Sequence, residues 1–386
     1  MELSNIPKEY YGQYRMNVMF DGYKWDMQAG EQSTISDKVL LFEPDEMSPL
    51  IENAIALYHE TIAMELAMQK HPKLVLETGV SEEMTAALCN CRPETHVRFM
   101  RFDFHPTTDG WRVSEVNSDV PAGYPEASVL PDLARVYFPG YNKCGCFGEV
   151  LVKKVSQIFQ KGVTIAYLHD THTVEDYQIM HYLGDLLETL GYKSMYASPE
   201  HIRWVDNKAV DIGGIIRYFP VEWMEFAKGV DWYGFINAKT PSCNHPIALL
   251  TQSKRLPLVW DKLGVDVGTW KKLLPETKCP STLTNPIGTI PKGWILKPAF
   301  GRVGEGINIP GTVSSQEEAK IFEAARENPL QWVAQKMFDS APVDGLHINV
   351  GMFVVDGEFA GCYARVSDSP RIDKDASEIP ILVRGM

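Results

Sequence analysis

The sequence predicts a mixed α/β fold, and three patterns lead to this prediction. Between residues 163 and 218, short apolar segments alternate with a helical segment, which is typical of a parallel sheet of Rossmann-like build. From about residue 255 onward, proline and glycine separate apolar segments, which indicates a strand-rich region. Residues 101–119 read as two strands around a turn. We therefore expect helices, a parallel sheet and antiparallel ribbons in one chain.

The elements can be placed in order along the sequence. Residues 48–69 carry apolar side chains at helical spacing, and a second helical region is predicted around 126–138. The loop at 240–245 resembles a linker. The alternating region predicts a strand at 163–168, a polar loop at 169–173, a helix at about 174–191, and strands at 192–196 and 212–218.

The predicted ribbon at 101–119 brings four polar side chains onto one face, because alternate residues of a strand point the same way. Folding it about its turn places Asp103 opposite Glu115. It places Arg101 opposite Asn117 in the same way, with β-carbons about 4.5–5.5 Å apart. Two carboxylates and an amide oxygen suit Mg²⁺, which leaves its other positions to water and phosphate. A surface hairpin with an ion-paired face is the alternative interpretation.

A glycine-rich loop follows the lysine that ends the apolar segment at 294–297. Gly301, Gly304 and Gly306 would let successive backbone N–H groups converge on an anion. Lys297 supplies a compact positive charge beside them. The loop lacks the Lys-Ser/Thr of a P-loop, and no helical pattern follows it as in a dinucleotide fold. A flap that closes over phosphates is therefore predicted, with a plain hairpin turn as the alternative.

Two further basic residues follow apolar segments. Lys262 ends the segment 256–262. Arg365 lies on the second strand of a hairpin that begins with the apolar residues 350–355 and turns at residues 356 and 357. For each, a surface base whose stem covers apolar side chains is the alternative.

The order and spacing of these motifs resemble the synthetase domain of glutathionylspermidine synthase, an offshoot of the ATP-grasp carboxylate–amine ligases. Arg-x-Asp, Glu-x-Asn-x-Asp and Lys-Pro-x-x-Gly-Arg-x-Gly follow one another as in that family. Residues 217–224 resemble its Tyr-Pro-Trp-Glu-Trp-Met, and residues 121–127 resemble the segment after its Asn-x-Asp. Three departures are Trp-Asp-Lys at 260–262 for Ser-Asn-Lys, Gly-Arg-Val-Gly for Gly-Arg-Glu-Gly, and Val-Pro-Ala at 120–122 for Thr-Pro-Thr. They bear on the choice of acid and amine and leave the phosphate chemistry unchanged.

The resemblance implies an ATP-grasp fold with a Rossmann-like pre-ATP-grasp sheet domain. It implies that Asp103, Glu115 and Asn117 hold Mg²⁺, which bridges the ATP phosphates. Lys262 and Lys297 would grip those phosphates.

The remaining ATP contacts are implied for the glycine loop and for residues 335–337. The loop would cover the phosphates. The backbone of residues 331–337 would read the adenine edge, with Met337 as an apolar wall. The full implied ATP-binding set is Lys262, Lys297, Gly301, Arg302, Gly304, Gly306, Gln335, Lys336 and Met337.

The implied reaction is ATP-dependent amide formation through an acyl phosphate, which an amine then attacks. Arg101 and Arg365 would stabilise the transferring phosphate and the developing oxyanion, because guanidinium groups match both shapes. Glu126 and Glu222 are candidates for holding the amine. Glutathione with spermidine is one substrate pair; an amino acid or peptide joined to another amine is the other.

The same resemblance divides the chain into three segments: an N-terminal region with the metal-binding hairpin (1–150), an α/β pre-ATP-grasp-like substrate domain (151–255) and an ATP-grasp nucleotide-binding region (256–386). Two other functions remain open: a catalytically silent ATP- or peptide-binding protein on this fold, and a small-molecule kinase without a second acceptor. The complete set of phosphate and metal positions argues against the silent protein.

Composition limits the function further. The net charge of −13 argues against a nucleic-acid partner, whose phosphates need a basic face, and it is compatible with a cationic amine. No apolar run approaches the roughly 20 residues that span a bilayer. The N-terminus lacks a basic start and an apolar stretch, and seven cysteines are few for 386 residues. A cytoplasmic protein with reduced thiols and no membrane partner is expected.

Several features invite a metal or ligand assignment that we do not favour. His172 and His181 are nine positions apart and fall on different faces of a helix, so the loop at 169–172 is interpreted as a surface or substrate-facing turn. The Cys-x-Cys pairs at 89–91 and 144–146 lack the spacing of zinc or redox motifs and are interpreted as buried thiols. The early aromatic residues are interpreted as packing residues.

Overall fold

The computed structural model describes residues 1–25, 28, 29, 32–93, 95–283, 290–301, 304 and 306–385. The helices are α1 Lys8–Phe20, α2 Pro44–Met68, α3 Pro72–Glu77, α4 Glu82–Asn90, α5 Val129–Arg135, α6 Phe147–Ile158, α7 Val174–Glu188, α8 Val221–Met224, α9 Trp232–Ile236, α10 Leu249–Gln252, α11 Gly268–Leu273 and α12 Ser315–Glu327. Within the described ranges, none of these helices has the length and apolar character that crossing a bilayer requires.

Strands form several sheets. They are β1 Glu2–Asn5, β2 Gln28–Ala29, β3 Gln32–Ser33, β4 Lys38–Phe42, β5 His96–Val97, β6 Phe99–Thr107, β7 Gly110–Asn117, β8 Tyr141–Lys143, β9 Thr164–Leu168, β10 Lys193–Ala197, β11 Trp204–Val205, β12 Lys208–Ala209, β13 Gly214–Arg217, β14 Ser242–Cys243, β15 Thr277–Lys278, β16 Trp294–Pro298, β17 Trp332–Lys336, β18 His347–Val355, β19 Glu358–Ser367 and β20 Ser377–Arg384. The predicted mixed α/β fold is confirmed.

The largest sheet has eight strands in the order β1-β4-β20-β19-β18-β6-β7, with β8 paired to β20. Its pairs are antiparallel except for the parallel pair β4–β20. Helix α2 begins at a capping box formed by Glu43 and Glu46 and buries Leu57 and Met64 in the core that includes Phe102. The sheet joins strands from both ends of the chain, so the segments 1–150 and 256–386 share one layer.

The predicted hairpin is β6 and β7, and its register is as predicted. Asp103 lies opposite Glu115, and Arg101 lies opposite Asn117. The turn of this hairpin is a tight two-residue turn, which alone would shift the pairing by one residue. A β-bulge after Asp103 adds one residue to β7 and restores the predicted register. The hairpin β18–β19 also forms, with its turn at residues 356 and 357, both of which have positive φ angles.

The predicted parallel sheet is also present, with strand order β10-β9-β13-β14-β5 and every pair parallel. The helix at 174–188 follows β9 as expected. The interpretation of residues 240–245 as a linker is wrong, because Ser242–Cys243 form strand β14 between β13 and β5. Asn244 and His245 beside it are buried, since a central strand of a parallel sheet is covered on both faces.

A third, three-stranded sheet has the order β15-β17-β16, and helix α12 packs on it. Ser314 caps that helix by accepting a hydrogen bond from the backbone N–H of Glu317. Lys297 lies on β16 and Gln335 on β17. This small sheet therefore presents its polar side chains opposite the hairpin β6–β7.

Candidate active site

One cavity of about 670 Å³ lies between the three sheets. Its floor is the polar face of the eight-stranded sheet. The small sheet lines the cavity with Lys297 and Gln335, and the loop after β9 lines it with Asp170 and Thr173. The floor residues come from the five neighbouring strands β7, β6, β18, β19 and β20: Glu115, Asn117, Arg101, Asp103, His105, Asn349, Tyr363, Arg365 and Glu378.

The three residues expected to hold Mg²⁺ lie together on this floor. Asp103 accepts two hydrogen bonds from Arg101, at 2.7 Å from Nε and 3.0 Å from Nη2. Asn117 donates from Nδ2 to the same carboxylate at 3.1 Å. Glu115 binds Lys254 instead, with Nζ 2.8 Å from Oε2. Arg101 is thus a partner of one of the two acids expected to hold Mg²⁺.

Two lysines neutralise the acids of the hairpin. Lys297 is buried, and its Nζ donates to Gln335 Oε1 at 2.7 Å. Burial lowers the pKa of Lys297 to about 8, although Glu115 acts in the opposite direction. Burial raises the pKa of Glu115, but Lys254 and Lys297 together outweigh it, and the net pKa lies below the ordinary value. Glu115 is therefore ionised at neutral pH.

The prediction that Lys262 grips phosphate is contradicted by its position. Residues 256–262 form two 3₁₀ turns, and Lys262 ends the second with a side chain that is 53% exposed. Its Nζ pairs with Glu77 at the surface, and Lys262, although a described residue, does not line the cavity. Lys254, whose side chain is only 10% exposed, binds Glu115 of the hairpin instead, although it does not line the cavity either.

Lys254 also connects the hairpin to the glycine loop. Its Nζ donates to the carbonyl of Gly301 at 2.7 Å while it binds Glu115. A sequence signal for it was available, since Lys254, like Lys262, follows an apolar segment, residues 247–250. The spacing to Lys297 hid this signal.

The glycine loop lies at the edge of the cavity. Gly304 and Gly306 have φ angles of +70° and +67°, a left-handed conformation that favours glycine. Gly304 lines the cavity, whereas Gly301 and Gly306, also within the described ranges, do not. The carbonyl of Gly304 accepts a hydrogen bond from Arg371 Nε at 3.1 Å. Arg302 lies outside the described residues.

Residues 335–337 are at the cavity, but in a different arrangement from the one expected. Gln335 uses its side chain to bind Lys297. Lys336 and Met337 line the cavity. Their backbone N–H groups, however, donate to the carbonyls of Glu276 and Gly293, each at 2.8 Å. These two N–H groups are therefore engaged within the chain.

Of the residues expected to act on phosphate or on the amine, some line the cavity and others do not. Arg365 lines the cavity and donates from Nη2 to the carbonyl of Asp373. Glu126 and Glu222, both described, do not line it. Glu126 is buried, and its Oε1 lies 3.2 Å from Nζ of Lys24, which does line the cavity.

Several lining residues were missed because only long-range pairing brings them together. The Tyr363 hydroxyl accepts from Arg101 at 3.0 Å. A β-carbon on Gly351 would lie 2.8 Å from Cδ of Arg101, so glycine makes room for that side chain. Asn349 donates to Nε2 of His105 at 2.9 Å, and burial lowers the pKa of His105 to about 3. Nothing local in the sequence marks these residues.

The last acid of the Glu-x-Asn-x-Asp motif has a structural position. Asp119 is fully buried and accepts from Arg217 Nη1 and from the backbone N–H of Val221, each at 3.0 Å. Arg217 also donates to the carbonyl of Asn244. This pair fixes the loop after β7 against the parallel sheet.

The histidine loop and the cysteines agree with their interpretations. Asp170 and Thr173 face the cavity, whereas His172 is exposed and bound to Asp170. Across the described ranges, no group of three His, Cys, Asp or Glu side chains is arranged to hold a metal. The cysteines of both Cys-x-Cys pairs are buried thiols: Cys89, Cys91, Cys144 and Cys146.

The donor set of the hairpin fits Mg²⁺ together with a polyphosphate. Two carboxylates, Asp103 and Glu115, already face three bases, Arg101, Lys254 and Lys297. A metal ion alone would add to this positive charge. A triphosphate would bring the negative charge that lets the carboxylates turn to a divalent ion.

Comparison with known proteins defines the class and then the family. The fold matches that of a glutathione synthetase-like effector from Globodera pallida in its apo form, with a TM-score of 0.62, 10% identity and 99% of each chain covered. A protein provisionally assigned as a gamma-glutamylcysteine synthetase from Methylobacillus flagellatus KT matches with a TM-score of 0.47 and 12% identity, over 83% of this chain and 86% of that chain. A search of curated protein sequences gives no significant match.

The class is thus a mixed α/β fold shared with a glutathione synthetase-like protein. The model of the family described as glutathionylspermidine synthase pre-ATP-grasp matches residues 9–384. The chain belongs to this family.

Proposed function

We propose that the protein is an ATP-dependent carboxylate–amine ligase that forms an amide bond through an acyl phosphate. Family membership supports an ATP-dependent ligase. The observation that carries the proposal is the cavity wall shared by Asp103, Glu115, Asn117 and Lys297, with Lys254 bound to Glu115 although it does not itself line the cavity. The volume of the cavity, about 670 Å³, is within the range of small-molecule sites.

The residues of the chain would divide the work by charge. Lys254 and Lys297 would bind phosphate oxygens, because Lys297 is buried, Lys254 is only 10% exposed, and both lie beside the hairpin acids. Bound Mg²⁺, held by Asp103, Glu115 and Asn117, would offset the charge that moves in phosphoryl transfer.

The two arginines would act next to the reacting groups. Arg101 is held by Asp103 and by the Tyr363 hydroxyl, so its orientation is fixed before a ligand arrives. Arg365 faces the cavity from β19, two strands away in the same sheet. Guanidinium groups in these positions would stabilise a transferring phosphate and a tetrahedral oxyanion.

The remaining ATP contacts belong to the same proposal. Gly304 and its neighbours Gly301, Arg302 and Gly306 would cover the phosphates. Lys336 and Met337 would border the adenine through their side chains, since their backbone N–H groups are engaged. Gln335 would act by holding Lys297.

The substrates follow from the same cavity. The acid would be glutathione or another peptide or amino acid, and the amine a polyamine or another cationic amine. Asp170 supplies negative charge at the cavity wall, which suits an ammonium group. Glu222 remains a candidate for the amine through its neighbour Trp223, which lines the cavity. We place the protein in the cytoplasm, where its buried thiols would stay reduced.

A phosphate-release screen tests the proposal. Carboxylates would be combined with amines in the presence of ATP and Mg²⁺, and we expect ADP and free phosphate only when both substrates are present. Asp103→Ala and Glu115→Ala should abolish turnover, whereas the surface change Lys262→Met should preserve it.

Other outcomes would identify the alternatives. ADP with a stable phosphoester and no need for an amine would indicate a small-molecule kinase. Nucleotide binding without ADP formation across the screen would indicate a silent ATP- or peptide-binding protein. Full activity of both alanine variants would remove the metal assignment.

A further inference from the structure

A buried group of charges lies beside Arg365 and includes a residue from the N-terminal part of the chain. Lys24 is 6% exposed, and its Nζ lies 2.6 Å from Glu378 Oε2 and 3.2 Å from Glu126 Oε1. Lys24 and Glu378 line the cavity. Burial raises the pKa of Glu378, but Lys24, together with Arg365 and a hydrogen bond with Glu126, outweighs this effect, and the net pKa is lowered. Glu378 is therefore an anion at neutral pH.

Arg365 is the cross-strand neighbour of that anion. Arg365 on β19 and Glu378 on β20 are directly opposed. Opposed residues have β-carbons about 4.5–5.5 Å apart, so the carboxylate is within reach of the guanidinium. The group therefore holds two acids, Glu126 and Glu378, and two bases, Lys24 and Arg365. Without Lys24, Arg365 would be the base that remains opposite Glu378.

The chain on both sides of Lys24 is fixed to helix α7. The Tyr23 hydroxyl donates to Asp185 at 2.6 Å, and the backbone N–H of Trp25 donates to Gln178 at 2.7 Å. Tyr23 has a φ angle of +55°, an uncommon conformation for a non-glycine residue. The early aromatic residues thus pack as expected, and their packing holds Lys24 against the cavity wall.

We propose that Lys24 is a positioning residue for the ligase reaction: it binds Glu378 and so keeps the Arg365 guanidinium available to anionic groups in the cavity. This inference rests on the proposed function, because Arg365 meets a phosphate or an oxyanion only in the proposed ligase reaction. Lys24 itself acts through Glu378 and Arg365.

The test separates charge from packing with three variants. Lys24→Met removes the charge and retains much of the volume, so Glu378 should pair with Arg365. Lys24→Met/Glu378→Gln removes the competing acid as well. Lys153→Met is the control, because Lys153 pairs with Glu358 at the surface, where the side chains are 62% and 44% exposed.

The readouts are calorimetric affinity for a non-hydrolysable ATP analogue with Mg²⁺, kcat and KM in the phosphate-release assay, and melting temperature. We expect Lys24→Met to lower affinity or kcat by about 10- to 100-fold, the range of one hydrogen bond to a charged group. The double variant should recover to within about 3-fold of wild type, and the control should not change.

The outcomes distinguish the two hypotheses. A wild-type protein that does not bind the analogue would end the proposed function and this inference with it. Binding by the wild type with no loss in Lys24→Met, or a double variant no better than the single one, would overturn the inference alone. Failure of both Lys24 variants to fold while the control folds would assign Lys24 a structural role and overturn it too.

Discussion

Replacing Lys254 or Lys262 by methionine distinguishes the lysine chosen by spacing from the lysine that the tertiary structure brings to the hairpin. Lys254 is 10% exposed and lies 2.8 Å from Glu115, whereas Lys262 is 53% exposed and pairs with a Glu77 that is 46% exposed. The two variants are matched, since each removes one ammonium group from an ion pair. Only the surroundings of the pair differ.

The expected magnitudes follow from those surroundings. At 2.8 Å and an effective dielectric constant of about 20, the Coulomb attraction between Lys254 and Glu115 is about 6 kcal/mol, most of which desolvation offsets. Breaking a buried pair costs about 3–5 kcal/mol; Lys297 still compensates Glu115, so we expect about 2–3 kcal/mol for Lys254→Met. Lys262→Met should cost about 0–1 kcal/mol, as exposed pairs do.

Urea unfolding and calorimetric titration with the Mg²⁺-bound ATP analogue measure the two effects. If Lys254 also binds phosphate, its loss should lower the affinity for the analogue by about 10- to 100-fold, the range of a hydrogen bond to a charged group. Lys262→Met should bind as the wild type does. The reasoning is refuted if Lys262→Met loses affinity and Lys254→Met retains it, or if both variants are as stable as the wild type.

Two further predictions concern charge and stability. Because burial lowers the pKa of Lys297 to about 8, affinity for the analogue should fall as the pH rises through about 8 to 9, when this lysine loses its proton. In Lys297→Arg the affinity should depend less on pH. A wild-type affinity that does not change with pH, or an unchanged pH dependence in Lys297→Arg, would contradict this. Asp119→Ala leaves the buried Arg217 without its carboxylate and should cost about 3–5 kcal/mol in urea unfolding. The surface change Asp132→Ala should cost less than about 1 kcal/mol, and equal losses in these two variants would refute the buried-pair assignment.

Much of the fold and part of the site could be predicted from the sequence because they depend on local periodicity. Alternation placed Asp103 opposite Glu115, and the structure has that register. The bulge in β7 corrects the tight turn by one residue, so the position expected for the pair still held. The linker interpretation of residues 240–245 failed because a two-residue strand has too little periodicity to recognise.

The choice between equivalent residues could not be read from spacing. Lys254 and Lys262 both follow apolar segments, and only the contact with Glu115 and Gly301 separates them. Lys24 and Arg365 are far apart in sequence and meet through Glu378. No local pattern encodes such a meeting.

The sequence by itself determined the alternating face of the β6–β7 ribbon, the glycine positions that need left-handed backbone and the family to which the chain belongs. The tertiary structure decided which ammonium groups face the two carboxylates and which acids lie away from the cavity. The physical reason is that side-chain periodicity is a property of neighbouring residues, whereas charge compensation in a buried site depends on strands that pair across hundreds of residues.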